Sequence, residues 1–290
     1  MSRRHELEQH LQVLGEIRDI MSAMKNLSFM EVRKLTRFLS TQRRVVASME
    51  SAAADFLGFH PHLLARQEHA RNVYLLLGSE RGFCGDFNEA LLLALESHRK
   101  SHPEEQAAVI VMGYRLSNEL ADDPHVAARL DGPAVVEEVQ PVLKRLADTL
   151  DALQNRRNSL HPLRLTVFHH HPDKAEVNVS VFQPFRQFEE KTAHYGHPPL
   201  LNLPPPAFLA ELVNHYLFAA LHELFYSSLM TENARRLQHM DNAIHRIEKD
   251  SMELSLRKNR LRQEEITEEI EVIMLSGSDD RDFQSNFKGE

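Results

Sequence analysis

Ser79-Glu80-Arg81-Gly82-Phe83-Cys84-Gly85-Asp86-Phe87-Asn88 joins glycines, a cation and a thiol between an apolar run and a helical pattern. A loop in that place cradles phosphate when its glycines let backbone N–H groups close on the anion, as in GxGxxG or GxxxxGK[ST]. Glycines at 78, 82 and 85 fit neither spacing, and no Gly-Lys-Ser/Thr follows. Dinucleotide binding is therefore not expected. A helix N-terminus could lower the pKa of Cys84 and make it a nucleophile. No base for it can be named, so packing is the simpler role. His169-His170-His171-Pro172 could suggest a metal, but consecutive strand residues point to alternate faces. A hairpin turn is the expected use. No carboxylate pair, catalytic triad or ligand spacing stands out, so neither an active site nor a cofactor is expected.

Charge is unevenly placed. Arg18, Lys25, Arg33, Lys34, Arg37, Arg43 and Arg44 face only Asp19 and Glu31 in the same stretch. Arg257, Lys258, Arg260 and Arg262 form a second basic band, followed by Glu264, Glu265, Glu268, Glu269 and Glu271. Such bands fit either an acidic partner surface or a solvated helix face. The whole 290-residue chain carries 34 basic and 42 acidic side chains, a net charge of −8, which argues against a general nucleic-acid binder. One cysteine excludes an internal disulfide framework. No run approaches the roughly 20 apolar residues of a membrane span. The polar start, Met1 to His10, does not resemble a secretory signal.

The elements that must carry these residues follow from where Gly and Pro are missing. Only 10 glycines occur, under half the usual share of ~7%. Neither Gly nor Pro occurs from residue 207 to 276, and only Gly15 interrupts residues 1–57. Each stretch can be one helix. Seventy helical residues would reach roughly 105 Å, far beyond the radius of gyration of ~19 Å expected of a compact chain of this length, so the helix is expected to protrude. Leu237, Met240, Ile244, Ile247, Ser251 and Leu254 recur at coiled-coil steps. Leu7, Leu11, Leu14, Ile17, Ile20, Met24 and Leu27 give a matching stripe near the start. The two are expected to pair antiparallel.

Between them the pattern is α/β: strands over 72–79, 107–113 and 134–139, helices over 88–100, 114–121 and 142–157, and a closing pair of strands over 163–170 and 177–185. Alternating strands and helices imply a mostly parallel sheet covered on both faces. The expected organisation is a shaft helix (1–57), an α/β domain (70–188), a Pro-rich connection (189–206), a second shaft helix (207–276) and a disordered tail (277–290). If both helices leave the domain at one level, the second outruns the first by about 14 residues, or some 21 Å. Ile266, Ile270, Ile273 and Met274 keep that end apolar, so it is expected to sit in a socket made by another protein. A coiled-coil adaptor that does not rotate and a Rossmann-type enzyme with helical appendages remain open on this pattern.

Three motifs resemble the γ subunit of F-type ATP synthase. Ile20-Met21-Ser22-Ala23-Met24 with Val32-Arg33-Lys34 is similar to the family's "KITKAM" helix. Glu80-Arg81-Gly82-Phe83-Cys84-Gly85 resembles "DRGLCGG", with Asp86 where the family has its last glycine. Glu232-Asn233-Ala234-Arg235-Arg236, Met240-Asp241-Asn242-Ala243 and the stretch Asn259 to Ile270 resemble the C-terminal helix, the last being similar to "YNRARQAAITKEI". The resemblance implies a Rossmann-like α/β foot bearing a two-helix rotor shaft. It implies three α and three β partners, an ε subunit and a membrane ring of c subunits. It implies no nucleic-acid partner, no cofactor, and a peripheral place on the cytoplasmic face of a bacterial inner membrane. ATP would be made or hydrolysed on β. By motif position, contacts to β fall on Met24, Arg81, Cys84, Arg236, Gln263 and Thr267, with Met24 also suited to packing inside the shaft. Ile266, Ile270 and Ile273 would turn in an apolar sleeve.

Overall fold

The two stretches poor in helix breakers form the longest elements, α1 (Arg3–Leu57) and α5 (Pro205–Ser285). The computed structural model describes residues 3–64, 70–105, 107–155, 163–182, 184–185 and 197–285. Helix α5 opens on Pro205-Pro206, where a missing N–H costs nothing. It then passes through Gly277 to Ser285, so the disordered tail expected from 277 is helical at least that far. One interior glycine costs about 1 kcal/mol relative to alanine, too little to stop a helix that no proline follows. The expected Pro-rich connection lies partly outside the described residues.

Five strands form one sheet: β1 (Arg71–Leu77), β2 (Ala108–Met112), β3 (Val126–Leu130), β4 (Leu163–His169) and β5 (Asn178–Val181). Their order is β3-β2-β1-β4-β5, with β5 alone antiparallel to its neighbour. The short helices are α2 (Phe87–Ser101), α3 (Tyr114–Glu119) and α4 (Val139–Asn155). Alternation along the central strands builds two cores. Val73, Leu75, Ile110, Met112 and Val167 pack with Leu35, Leu146, Phe225 and Leu229 of α1, α4 and α5. Tyr74, Leu76, Val109, Val111 and Phe168 pack with Leu91, Leu95 and Leu116 of α2 and α3.

The expected third strand over 134–139 is instead a 3-10 turn, Val136–Glu138, that leads into α4. Its N-terminus is held by α1: the Glu31 carboxylate accepts the Val136 N–H at 3.3 Å while Lys34 donates to it at 2.9 Å. The true third strand, Val-Ala-Ala-Arg-Leu, is a half-exposed edge whose alanines and arginine hide its period.

The chain divides into two units, Asn26–His239 and Met1–Lys25 with Met240–Glu290. Within the first, α1 and α5 run antiparallel: Tyr216 donates to Glu50 at 3.1 Å, Arg43 pairs with Glu223 at 3.4 Å and Phe38 meets Tyr226. Within the second they are also antiparallel, through Arg4 with Glu265 at 3.0 Å and Lys25 with Asp241. The α5 seam there is Met240, Ile244, Ile247, Ser251, Leu254, Lys258, Leu261 and Glu265, all buried or partly buried, in unbroken steps of four and three. On α1, Arg4, Leu7, Leu11, Leu14, Met21 and Lys25 are partly buried at seam spacing, whereas Arg18, between Leu14 and Met21, is exposed. Ile17 and Ile20, expected on the stripe, are 41% and 61% exposed. Successive steps of three turn a residue off a 3.5-residue seam, so the stripe leaves it at Ile17 and Ile20, and partial burial resumes at Met21.

Candidate partner-contact sites

The loop between β1 and α2 is fixed from several sides. Gly78 begins it, where a Cβ would lie 2.4 Å from that of Leu116. The Ser79 N–H donates to Asn88 Oδ1 at 3.0 Å, and Asn88 Nδ2 donates back to Ser79 Oγ at 3.1 Å. Glu80 Oε2 accepts the N–H groups of Tyr114 (3.0 Å) and Gly132 (2.8 Å), tying the loop to the ends of β2 and β3. Arg236 of α5 donates to the carbonyls of Gly82 at 3.0 Å and Arg81 at 3.1 Å, and to Asn233 Oδ1 at 3.1 Å. It also pairs with Glu232, one turn earlier, both side chains being 5% exposed. Burial pushes the Glu232 carboxyl upward, and Arg236 draws it partly back.

Held this way, the middle of the loop presents two side chains. Arg81 is exposed, and Phe83 is 52% exposed with φ of +63°, in the left-handed region that disfavours a side chain. Cys84 turns inward, 5% exposed, with Sγ 3.8 Å from the Arg81 carbonyl. Burial raises its pKa, which removes the activated-thiol alternative. Two of the residues expected by motif to meet β lie inward. Cys84 packs in the core, and Arg236 spends its guanidinium inside the chain, where it shapes the loop. Of the three, only Arg81 is exposed.

In the second unit, Met24 is partly buried beside the Lys25–Asp241 pair. Gln263 and Thr267 are exposed, and Thr267 Oγ1 donates to the Gln263 carbonyl at 2.8 Å. Glu265 faces Arg4, near the start of α1, while α5 continues to Ser285. On that continuation Ile266, Ile270 and Ile273 are 45%, 52% and 67% exposed, with Val272 and Met274 still more open than Ile266.

The three histidines serve three separate partners. His169 accepts from or donates to Ser180 Oγ at 3.0 Å, His170 donates to the Phe87 carbonyl at 2.9 Å, and His171 meets Arg43 at 3.0 Å. Among the described residues no group of His, Cys, Asp or Glu is placed to hold a metal. Sequence reasoning missed Glu232, Glu80 and the Arg235–Asp86 pair at 2.7 Å. The four-residue spacing of Glu232 and Arg236 was a legible signal; Glu80 and Asp86 find partners distant in the chain and gave none.

A family model described as ATP synthase matches residues 3–278. An ATP synthase gamma chain of Xanthomonas axonopodis pv. citri is 22% identical over 286 residues, covering 93% of this chain and 96% of the relative. One from Clostridium botulinum is 23% identical over 274 residues, covering 92% and 95%. A chain of the Euglena gracilis mitochondrial ATP synthase OSCP/F1/c-ring structure shares the fold with a TM-score of 0.59 at 15% identity, covering 99% of this chain and 96% of that one. A chain of the Tetrahymena thermophila central stalk/c-ring structure does so at 0.53 and 14%, covering 77% and 99%. The chain belongs to the ATP synthase γ family, the rotor shaft of F-type ATP synthase.

Proposed function

We propose that this chain turns inside a ring of three α and three β subunits, with its α/β unit meeting ε and the c ring. It catalyses nothing itself; the reaction belongs to β. Arg81 and Phe83 form one contact to β, and Met24, Gln263 and Thr267 another. Ile266, Ile270 and Ile273 turn in an apolar sleeve. The observation that carries this reading is an exposed apolar stretch on a regular helix, from Ile266 (45%) to Met274 (71%). A monomeric soluble surface would not keep large apolar side chains clustered in water without a use for them.

The mechanism follows from asymmetry. A rod with basic bands, acidic bands and an apolar end touches three β subunits differently, so each orientation favours a different β conformation. Coupling of this kind is reciprocal: ion flow that turns the rod drives synthesis, and hydrolysis turns the rod back. Among the described residues no helix is long and apolar enough to cross a membrane; the place proposed for the chain is peripheral, on the cytoplasmic face of a bacterial inner membrane. Changing Gln263 and Thr267 together to Ala in the assembled complex tests the shaft contact. Both side chains are exposed, so helicity of the chain should be kept while coupled ATP synthesis falls. Full coupling in the double variant would sink the contact. Mass measurement of the intact complex separates this reading from an adaptor, which need not gather three copies of one partner.

A further inference from the structure

The loop from Ser79 to Asp86 is gripped by two adjacent arginines of α5 in different ways. Arg236 holds its base through buried carbonyl contacts. Arg235 holds its far end: Nη1 donates to Asp86 Oδ1 at 2.7 Å, Nη2 reaches the Ala175 carbonyl at 3.5 Å, and the guanidinium carbon lies 5.8 Å from the centre of the Phe87 ring. Phe87 is itself buried and stacked on His170 at 4.0 Å, so the platform under Arg235 is rigid. The Asp86 side chain is 73% exposed and that of Arg235 23%. The family motif that the loop resembles has glycine at this position, which has no side chain to make such a pair.

We propose that Arg235 and Asp86 are positioning residues, a salt-sensitive outer latch that fixes the direction in which Arg81 and Phe83 face their partner. The inference rests on the reading that this loop meets β. Phe83 lies between the two grips in a backbone conformation that persists only where its surroundings impose it. Opening the outer grip frees the Phe83 side of the loop while Arg236 still holds the base. The latch is an exposed ion pair, weak enough for salt or a competing partner carboxylate to open it.

The chain contains no tryptophan, so Phe83→Trp provides a single reporter at the loop apex. In the full chain at low salt, the anisotropy decay of this reporter should show little local motion. Asp86→Asn and Arg235→Gln should each increase that motion, and the two together should do no more than either alone. Molar salt should bring the Phe83→Trp chain to the same state, and should leave the Asp86→Asn chain unmoved. The opening constant is expected to rise about two- to fivefold, the span of an exposed ion pair. Unchanged motion in Asp86→Asn overturns the latch, as does a response confined to Arg235→Gln, which would leave Arg235 acting through Phe87 alone. Assembly with α and β tests the underlying reading separately. A blue shift of the reporter's indole emission on assembly supports a partner-facing loop. No shift, with the latch behaviour intact, removes the β contact and with it the functional use of the latch.

Discussion

The unit that carries the sheet and the unit made only of the two helix ends use similar apolar residues but bury them to different depths. In the first, Leu75, Leu76, Ile110, Val111, Val167 and Phe168 are all at 0% exposure, closed between layers on both faces of the sheet. In the second, among the described residues, only Met240 and Ile244 are buried. Two helices can cover only one side of each seam residue, and polar groups occupy several seam positions: Arg4 and Lys25 on α1, and Ser251, Lys258 and Glu265 on α5. Polar seam residues fix register at a cost in stability. The difference teaches a division of labour. The sheet unit supplies a stable fold, whereas the helical pair supplies an aligned, chemically uneven surface, the part proposed to be sheathed.

The largest effects should therefore fall in the sheet unit. Phe168→Ala removes a side chain at 0% exposure and should cost about 3–5 kcal/mol, much of a typical domain's stability. Glu232→Ala should cost a similar amount, about 3–5 kcal/mol, because it leaves Arg236 buried without its carboxylate. Leu254→Ala, on the partly buried seam, should cost only about 1 kcal/mol. Urea unfolding of the three variants checks the order. If Leu254→Ala proved as costly as Phe168→Ala, the two units would not differ in the way their burial indicates.

What was legible in the sequence divides along the same line. The long helices could be read because missing Gly and Pro leave a chain no other punctuation, and the central strands because buried parallel strands are continuous runs of Val, Ile and Leu. Edge strand β3 could not be read, since its exposed half is Ala and Arg rather than an alternating apolar set. The α1 stripe departs from the structure at Ile17 and Ile20 because successive steps of three drift off a heptad seam, however apolar the residue. The loop motif located the candidate site, but spacing says nothing about which way a side chain turns. Arg236 and Cys84 face inward because Glu232, Asn233 and the loop carbonyls await them there.

Acid should sharpen the contrast next. His169 and His170 are at 1% and 0% exposure, and burial pushes both pKa values down to about 4 from an ordinary 6.5. Unfolded imidazoles take up protons below 6.5 while the folded ones refuse them until about 4. The contribution of these two histidines is thus fully present above 6.5, and each withdraws up to about 3 kcal/mol as the pH falls through that window, opposed in part by the raised Glu232 carboxyl, which favours the folded state as it takes up its proton. Both histidines lie in the sheet unit, so this acid sensitivity belongs there. Urea midpoints measured from pH 7 to 4 should fall, and His170→Gln should make the slope shallower. A slope identical in His170→Gln would remove His170 as its source.

The smallest effect should come from the ion pair whose chemistry most resembles Glu232–Arg236 but whose setting does not. Lys25 and Asp241 pair across the seam with side chains 37% and 43% exposed. Their hydrogen bond is the main reason the Asp241 carboxyl sits below its ordinary pKa. Water solvates both charges when the pair is broken, so Asp241→Asn should leave the unfolding midpoint nearly unchanged. Its effect should instead appear in alignment, because a polar contact at a seam chooses which residues of two helices face one another. Cysteines placed at Ala23 and Ala243 give a cross-linking measure of register that does not depend on stability. Asp241→Asn should lower the yield of this cross-link while the urea curve stays in place. A large loss of stability without any change in cross-linking would mean that this pair works like the buried one, and the contrast between the two units would fail at its most exposed point.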